Sequence, residues 1–385
     1  MTDEIRLLVL NCEYPPIGGG AARATEYILN ELEGFPVRWT LVTSSAGDTI
    51  RVREHGEKGR IECLPVGKRD LYFWRKRELL AYAYAACRRV RKLEAGGERY
   101  DLCHAFFTLP AAAVAMLGAK RRPYIVSLRG SDVPGRTGRF VWFYRAFGFA
   151  FGAIWKRAAA VVANSQELKE LASARAPDIG IEVIPNGVDT RKFHPAEKPP
   201  GTFTVVTVGR LSAGKDTGTA IRAAALVRAR FPRARLVIAG EGPQKEQLQG
   251  LAREAGVADR VEFRSWLSWQ QIDEVYREAD VFILTSLREG MSNTVLEALA
   301  SGLPVVASKA ALSGIDAPGA AVVPPGDAEA AAGAIARYFA DDTVREEAAR
   351  ASLAAARKYT WRAAAEGYYN LYRRAIEKHG RGSRQ

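Results

Sequence analysis

The stretch ADVFILTSLREGMSNTVLEALASGLPVVAS, residues 279–308, contains a strand, a loop, a helix and a second strand in that order. The apolar, mostly β-branched runs VFIL and VVA predict buried strands. Between them, Ser292 or Asn293 can cap a helix, and Gly302 and Pro304 can end it. This alternation of buried strands and helices is typical of a parallel sheet covered by helices on both faces.

The same alternation fills the rest of the chain in two series. The first half contains the predicted strands IRLLVLN, VRWTLVT, IECLP, DLCHAF, YIVSL, AVVAN and IEVIP, and the second contains FTVVTVG, RLVIAG, RVEFRS, DVFILT, PVVAS and AAVVPP. Two such series predict an α/β chain with two doubly wound, Rossmann-like domains. The stretch HPAEKPPGT at 194–202, where Pro, Gly and Lys cluster without periodicity, predicts a boundary near 195. Ligands bind beyond the carboxyl ends of such strands, so two facing domains would form an interdomain cleft.

Composition and charge limit the function classes. The 385 residues suggest about two domains, and the net charge of +13 is concentrated in residues 1–195, which hold 30 Lys and Arg against 21 Asp and Glu. The basic half could meet anionic lipid, a phosphorylated substrate or nucleic acid. Since no nucleic-acid-binding signature is found, the last is not expected. The absence of a signal-peptide pattern and of an apolar run of about 18 residues, together with four scattered cysteines, predicts a cytoplasmic protein.

Candidate catalytic residues follow two predicted strands of the second domain. Arg210 and Lys215 lie in GRLSAGKD, directly after FTVVTVG, and two cations on one loop suit a diphosphate. The helix near Asn293 would point its free N–H groups at an anion. Glu297, about one turn further, could accept hydrogen bonds from a ribose diol, and Glu289 would face the group beyond the diphosphate. Alternatively, each of these charged side chains is simply solvated.

Several segments together resemble the family-4 glycosyltransferases, which are retaining enzymes of the GT-B fold. They include YPPIGGGAARATEYILNEL, VIPNGVDTRKFHP, VGRLSAGKD, VIAGEGPQKEQL and the stretch at 279–308, with its two glutamates eight positions apart. The resemblance covers essentially the whole chain. It implies an acceptor-binding domain at 1–195, a nucleotide-sugar-binding domain at 196–360 and a terminal helix, about 361–385, that crosses back to the first domain.

The resemblance also assigns a donor site. Its residues are Gly19, Gly20, Arg210, Lys215, Glu289, Asn293, Thr294 and Glu297. Arg210 and Lys215 match the pair that holds the donor diphosphate, Glu297 the ribose ligand, and Glu289 the glutamate that contacts the transferred sugar. Asn293 and Thr294 match positions whose backbone faces the phosphates, and the two glycines let the backbone approach the donor. Arg210, Lys215 and Glu289 are therefore the expected catalytic residues.

No metal or other cofactor is expected. The sequence has no Asp-x-Asp motif and no His/Asp cluster with metal-ligand spacing. The departing nucleotide diphosphate needs positive charge, which Arg210, Lys215 and the helix N-terminus would supply. The NDP-sugar is then the donor substrate, not a cofactor.

Two features near the acceptor depart from the family pattern or stay ambiguous. Arg129, in RGSD, stands where the family often has a histidine, and it would suit an anionic group on the sugar or acceptor. The alternative is a salt bridge to Asp132. His104 belongs either to this acceptor site or to the packed end of a strand.

Two basic, aromatic segments, Leu71–Lys92 and Arg136–Arg157, bear on membrane contact. The second carries eight aromatic residues and five cations. Such segments can lie on an anionic membrane surface, which would place the protein at the cytoplasmic membrane face. Alternatively, their aromatic residues pack against the first sheet.

The sequence thus predicts metal-independent, retaining transfer of a hexose from an NDP-sugar to a sugar or lipid-linked glycan acceptor. One alternative is an NDP-sugar epimerase of the same fold, which would need no acceptor. Another is a non-catalytic subunit that binds nucleotide or membrane, although the intact set Arg210, Lys215, Glu289 and Glu297 counts against it.

Overall fold

The structure, a computed structural model, describes residues 4–71, 73–118, 121–130, 133, 151–197, 203–265 and 267–382. Asp132 and the first fifteen residues of the basic segment Arg136–Arg157 lie outside the described residues. The chain forms two compact units, one from residues 1–186 and 361–385 and the other from residues 187–360.

The first unit is built on an eight-stranded sheet. Its strand order is β3-β4-β2-β1-β5-β6-β7-β8, and every neighbouring pair is parallel except β3 and β4. The strands are β1 (Ile5–Leu10), β2 (Val37–Ser45), β3 (Arg51–His55), β4 (Gly59–Pro65), β5 (Leu102–Phe106), β6 (Tyr124–Ser127), β7 (Ala160–Ala163) and β8 (Ile181–Val183). Seven of them were predicted. The charged edge strand β3 was not, because RVREH has no apolar alternation.

Helices cover this sheet with apolar faces. They include α1 (Gly20–Leu32), α2 (Lys76–Ala95), α3 (Ala113–Leu117), α4 (Gln166–Ser173) and the terminal helix α11 (Trp361–Gly382). In α11, Tyr368, Leu371, Tyr372 and Ala375 recur at helical spacing and are buried in the core of the first unit. The last helix of the chain therefore completes the unit with which the chain begins.

The second unit has a six-stranded parallel sheet of order β11-β10-β9-β12-β13-β14. Its strands, all predicted, are β9 (Phe203–Val208), β10 (Ala234–Ala239), β11 (Val261–Arg264), β12 (Val281–Leu284), β13 (Val305–Ala307) and β14 (Ala321–Val322). Its helices are α5 (Thr217–Arg230), α6 (Lys245–Glu254), α7 (Ile272–Arg277), α8 (Asn293–Ala300), α9 (Ala328–Ala340) and α10 (Asp342–Ala356).

Burial on both faces explains why these strands are apolar throughout. Alternate residues of β9 pack on opposite sides: Val206 and Val208 belong to one core cluster and Val205 to another. The strand order reverses between β9 and β12, which is the topological switch point of a doubly wound sheet. The loops after these two strands therefore carry the expected ligand site.

The chain passes from the first unit to the second between residues 186 and 187, ahead of the predicted boundary near 195. Val188 and Phe193 cause the difference, because both are buried in the second unit's core. The Phe193 ring centroid lies 5.5 Å from that of Tyr276, edge-on. The Val188 N–H donates to the Tyr359 carbonyl at 3.0 Å. The chain thus joins the second core before the Pro-rich stretch begins.

Within the described ranges, no helix has the length and apolar character needed to cross a bilayer.

Candidate active site

The loops after β9 and β12 are hydrogen-bonded to each other at the switch point of the second sheet. The Leu287 N–H donates to the Gly214 carbonyl at 2.9 Å, and the Thr285 hydroxyl donates to the Asp216 carbonyl at 2.9 Å. Because β9 and β12 are adjacent parallel strands, both loops leave the same edge of the sheet. Residues far apart in sequence are thereby held in one place.

An ion pair joins the two loops. Lys215 Nζ contacts Glu289 Oε1, and the Ser286 hydroxyl donates to the same oxygen at 2.8 Å. The Lys215 and Glu289 side chains are 23% and 11% exposed, so both remain accessible to a ligand. Arg210 is exposed on the same loop as Lys215. The structure thus brings two of the three expected catalytic side chains into direct contact.

Tight backbone packing fixes the loop that carries Lys215. Asp216 adopts a left-handed conformation (φ 49°), and its Oδ2 accepts bonds from the Thr219 hydroxyl at 2.7 Å and the Gly326 N–H at 3.0 Å. The next loop allows no side chain at Gly240, because a Cβ there would lie 1.9 Å from the Gly209 carbonyl oxygen. The role of Asp216 in anchoring this loop was not predicted from the sequence.

Helix α8 begins where the sequence predicts. Ser292 is the N-cap, and its hydroxyl accepts from the Val295 N–H at 3.4 Å. Asn293 and Thr294 form the first turn and are partly exposed. The N–H groups of such a first turn lack partners within the helix, so this end suits an anion.

Glu297, in the second turn of α8, is held by a residue that the sequence did not reveal. The Tyr276 hydroxyl donates to Glu297 Oε2 at 2.6 Å. Tyr276 lies on α7 and is fully buried, and burial together with the nearby Glu297 charge raises its pKa well above the usual value. Tyr276 therefore stays protonated and orients the carboxylate.

In the first unit, Gly19 and Gly20 lie where β1 leads into α1. Gly19 is the N-cap and Gly20 the first helical residue. Gly18 before them has φ 96°, and a Cβ on it would lie 2.7 Å from Glu13 Oε2. Burial raises the pKa of Glu13 to about 7, although hydrogen bonds from the Gly19 N–H and Trp74 oppose this. The loop is thus a tight one with a carboxyl group packed beneath it.

His104 is buried in the first unit and bound on both ring nitrogens. Nδ1 is 2.8 Å from the Tyr372 hydroxyl, and Nε2 is 2.7 Å from the Ser127 hydroxyl. Burial, and then the Arg129 charge, lower its pKa well below the usual value, so the ring is neutral. With 1% of its surface exposed, His104 matches the packed strand-end alternative.

Arg129 is held on several sides. Nη1 donates to Asn186 Oδ1 at 2.9 Å, Nη2 lies 3.5 Å from the Tyr368 hydroxyl, and the guanidinium lies 4.8 Å from the centre of the Phe106 ring. The residue is partly exposed. Its predicted partner Asp132 is outside the described residues, so the salt-bridge alternative stays open.

Two family models match the chain. The model described as "Glycosyltransferase Family 4" covers residues 18–192, and the model described as "Glycosyl transferases group 1" covers residues 189–358. The chain belongs to the family-4 glycosyltransferases. The fold agrees: a sucrose-phosphate synthase from Thermosynechococcus elongatus superimposes with a TM-score of 0.81 at 21% identity, over 97% of this chain and 100% of the other. This structural similarity confirms the GT-B fold.

Curated relatives match the chain over parts of their length. A D-inositol 3-phosphate glycosyltransferase of Acidothermus cellulolyticus is 34% identical over 55% of this chain and 52% of its own. A GDP-mannose-dependent alpha-(1-6)-phosphatidylinositol monomannoside mannosyltransferase of Mycobacterium tuberculosis is 34% identical over 37% of this chain and 42% of its own. The chain thus spans about half the length of the curated relatives it matches.

Across the part of the chain that the structure describes, no three His, Cys, Asp or Glu side chains are grouped so that they could hold a metal ion. The absence of a cofactor stays a prediction.

Proposed function

We propose that this chain transfers a hexose from an NDP-sugar to a sugar or lipid-linked glycan acceptor, with retention and without a metal. The contact between Lys215 and Glu289 carries the proposal, because it joins the two switch-point loops beside the N-terminus of α8. Family membership supports transferase chemistry and a nucleotide-sugar donor. Retention is proposed from the family resemblance alone.

The donor diphosphate is assigned to Arg210, Lys215 and the first turn of α8. Negative charge builds up on the leaving nucleotide as the glycosidic bond breaks, and fixed cations and helix N–H groups stabilise it. Lys215 is paired with Glu289, so diphosphate binding would share or displace this contact. Three sources of positive charge at one place are the basis for proposing a reaction without metal.

The two glutamates take different parts of the donor. Glu297 is assigned to the ribose diol, since a carboxylate oriented by Tyr276 can accept from paired hydroxyls. Glu289 is assigned to the transferred sugar, where it would accept from ring hydroxyls while Lys215 and Ser286 hold its orientation.

The acceptor class is inferred from the relatives and from charge. One relative is named for inositol 3-phosphate, which is a phosphorylated compound, and the other for phosphatidylinositol monomannoside, which is a lipid. The basic excess of residues 1–195 favours such an anionic acceptor. A cytoplasmic protein bound peripherally to the membrane would reach a lipid-linked acceptor.

A donor screen tests the proposal. Thermal shift against UDP-, GDP- and ADP-sugars identifies the donor, and NMR of the product formed with inositol phosphate or a lipid-linked glycan shows the anomeric configuration. An altered NDP-sugar formed without acceptor would instead indicate an epimerase, although the matched relatives are named as transferases. Tight nucleotide binding without turnover would indicate a non-catalytic subunit. Inversion, or activity lost in EDTA and restored by Mn²⁺, would refute those parts of the proposal.

A further inference from the structure

The edge strand β3 carries two arginines on one face of the first sheet. Arg51 is paired with Cys63 of β4, and Arg53, two residues further along β3, points to the same side. This face is the one that α1 covers, because the next residue on it, His55, lies with its Nε2 2.7 Å from Asn30 Oδ1 of α1. Both arginines therefore border the surface between β3 and α1.

Tyr14 and Cys63 lie beneath the two arginines. The Arg53 guanidinium is 5.7 Å from the centre of the Tyr14 ring, and Tyr14 itself is buried. Burial raises the pKa of the half-buried Cys63 thiol, and the charges of Arg53 and Arg51 oppose this rise, as cations close to the sulfur do. We call these four residues, Tyr14, Arg51, Arg53 and Cys63, the β3 cluster.

The β3 cluster lies at the carboxyl edge of the first sheet. Ser45 is the last residue of β2, and a Cβ on Gly47 would lie 3.4 Å from both Ser45 Oγ and Arg51 Nη2. Tyr14 belongs to the loop after β1, which continues to Gly19 at the start of α1. Because ligands of doubly wound sheets bind at the carboxyl edge, the cluster stands where a ligand is expected.

Its positive charge is not taken up by ion pairs. Among the ion pairs between described residues, none includes Arg51 or Arg53. Two charged residues of α1, Arg23 and Glu26, also face Tyr14, but they are paired with each other at 2.6 Å and add no net charge. Glu54 lies between the arginines on the opposite face of β3.

A buried hydroxyl lies in the same row of the sheet. Thr43 of β2 is paired with Cys63, so the two side chains share one face. Thr43 is 1% exposed, and its Oγ1 has no hydrogen-bond partner among the described residues. Buried hydroxyls are nearly always hydrogen-bonded, so Thr43 indicates a partner that the folded chain does not itself supply.

We propose that the β3 cluster binds the phosphate group of a phosphorylated acceptor. Arg51 and Arg53 are about 7 Å apart along the strand, so their two guanidinium forks can share one phosphate. A carboxylate, with two oxygen atoms, is held by a single fork, and two forks therefore favour phosphate. The assignment of this phosphate to the acceptor rests on the proposed function, whereas the phosphate site itself is tested without any donor.

The rate at which N-ethylmaleimide modifies Cys63 reports on the site. The probes are inorganic phosphate and inositol 3-phosphate, and inositol is the neutral control. A bound phosphate shields the thiol and raises its pKa, so at saturation the modification of Cys63 should slow at least about fivefold. Peptide mass spectrometry follows each cysteine separately.

Cys87 is an internal control in the same experiment. It is half-buried like Cys63, but it lies on α2, which packs on the opposite face of the sheet, where Arg89 Nε donates to Glu62 Oε2 at 2.9 Å. Its rate of modification should be the same with and without the phosphate probes.

Two matched double variants test the arginines. Arg51→Gln with Arg53→Gln should raise the Kd for inositol 3-phosphate, measured by ³¹P NMR, at least about 10-fold, since each exposed contact contributes a few-fold. Arg88→Gln with Arg91→Gln removes the same charge from exposed positions of α2 and should change the Kd less than about twofold. Thr43→Val, which keeps the branched shape, should weaken binding about threefold without lowering the free energy of unfolding. Circular dichroism checks that every variant is folded.

Glycerophosphoinositol, which carries a lipid headgroup's phosphodiester without the lipid, separates two sources of the phosphate. Protection of Cys63 by this compound as well as by inositol 3-phosphate assigns a headgroup, and protection by the monoester alone assigns a free sugar phosphate. Either result supports the site.

Four results would overturn the inference. They are no protection of Cys63 by either phosphate probe, equal protection by inositol, equal slowing at Cys87, and an unchanged Kd in the variant that lacks Arg51 and Arg53. The outcome is separable from that of the proposed function. Phosphate binding without transfer from any donor refutes only the transferase, whereas transfer to a neutral acceptor with Cys63 unprotected refutes only the phosphate site.

Discussion

Replacing Lys215 by Met removes the ammonium group that contacts Glu289 and keeps most of the apolar stem. The Glu289 carboxylate, 11% exposed, retains the Ser286 hydroxyl at 2.8 Å. Breaking a fully buried ion pair costs about 3–5 kcal/mol and breaking an exposed one about 0–1 kcal/mol. Because this pair is partly exposed and one donor remains, we expect the free energy of unfolding to fall by about 1–2 kcal/mol.

The effect of the same substitution on activity should be larger. If Lys215 stabilises the leaving diphosphate, its loss removes one preorganised charge, which contributes about 2–4 kcal/mol to the transition state. The value of kcat/KM should therefore fall roughly 30- to 1000-fold. Urea denaturation measures the first quantity and steady-state transfer measures the second.

A double variant separates the two effects. Changing Glu289 to Gln in the Lys215→Met background removes the uncompensated charge, so the free energy of unfolding should return to within about 0.5 kcal/mol of the wild type, while turnover stays low. Lys358→Met, which breaks an exposed pair with Asp316, is the matched control and should change neither quantity substantially. If kcat/KM of Lys215→Met stays within threefold of wild type, or if the double variant regains turnover, the diphosphate assignment is wrong.

Three further predictions concern the same site and Glu13, which packs beneath the loop that contains Gly19. Tyr276→Phe should weaken binding of the free nucleotide about 10-fold, because the Glu297 carboxylate loses the donor that orients it; equal affinity in calorimetry would contradict this. Glu297→Gln should lower nucleotide affinity, whereas Glu289→Gln should mainly lower kcat; the reverse pattern would exchange the two roles. Burial raises the pKa of Glu13 from 4.5 to about 7, so the folded protein binds this proton more tightly than the unfolded chain does. The protonated Glu13 therefore contributes stability that is fully present below pH 4.5 and is lost as the pH rises through 7. The loss should be about 1–3 kcal/mol in urea denaturation between pH 5 and 8 and absent in Glu13→Gln; a wild-type curve that parallels the variant's would exclude it.

The strands could be predicted from the sequence because a strand that is buried on both faces needs an uninterrupted run of apolar residues. It predicted the location of Lys215 and Glu289 on separate loops, but not their contact. That contact depends on β9 and β12 being neighbours, and strand order is not encoded in local periodicity. Tyr276 escaped notice for a related reason: it joins Glu297 from another helix, and a tyrosine in a short amphipathic stretch indicates core packing. The strands could be predicted because they follow local sequence patterns. The contacts of Lys215 and Tyr276 could not, because they depend on which elements are neighbours in the folded chain.

The membership of α11 in the first unit has a consequence for biosynthesis. Residues 361–382 are synthesised after the whole of the second unit, yet they supply Tyr368 and Tyr372, which pack against His104 and Ser127. On the ribosome, the second unit can therefore finish folding while the first still exposes an apolar groove along its sheet. Nascent chains halted before residue 361 should recruit chaperones to the earlier half of the molecule, although it left the ribosome first.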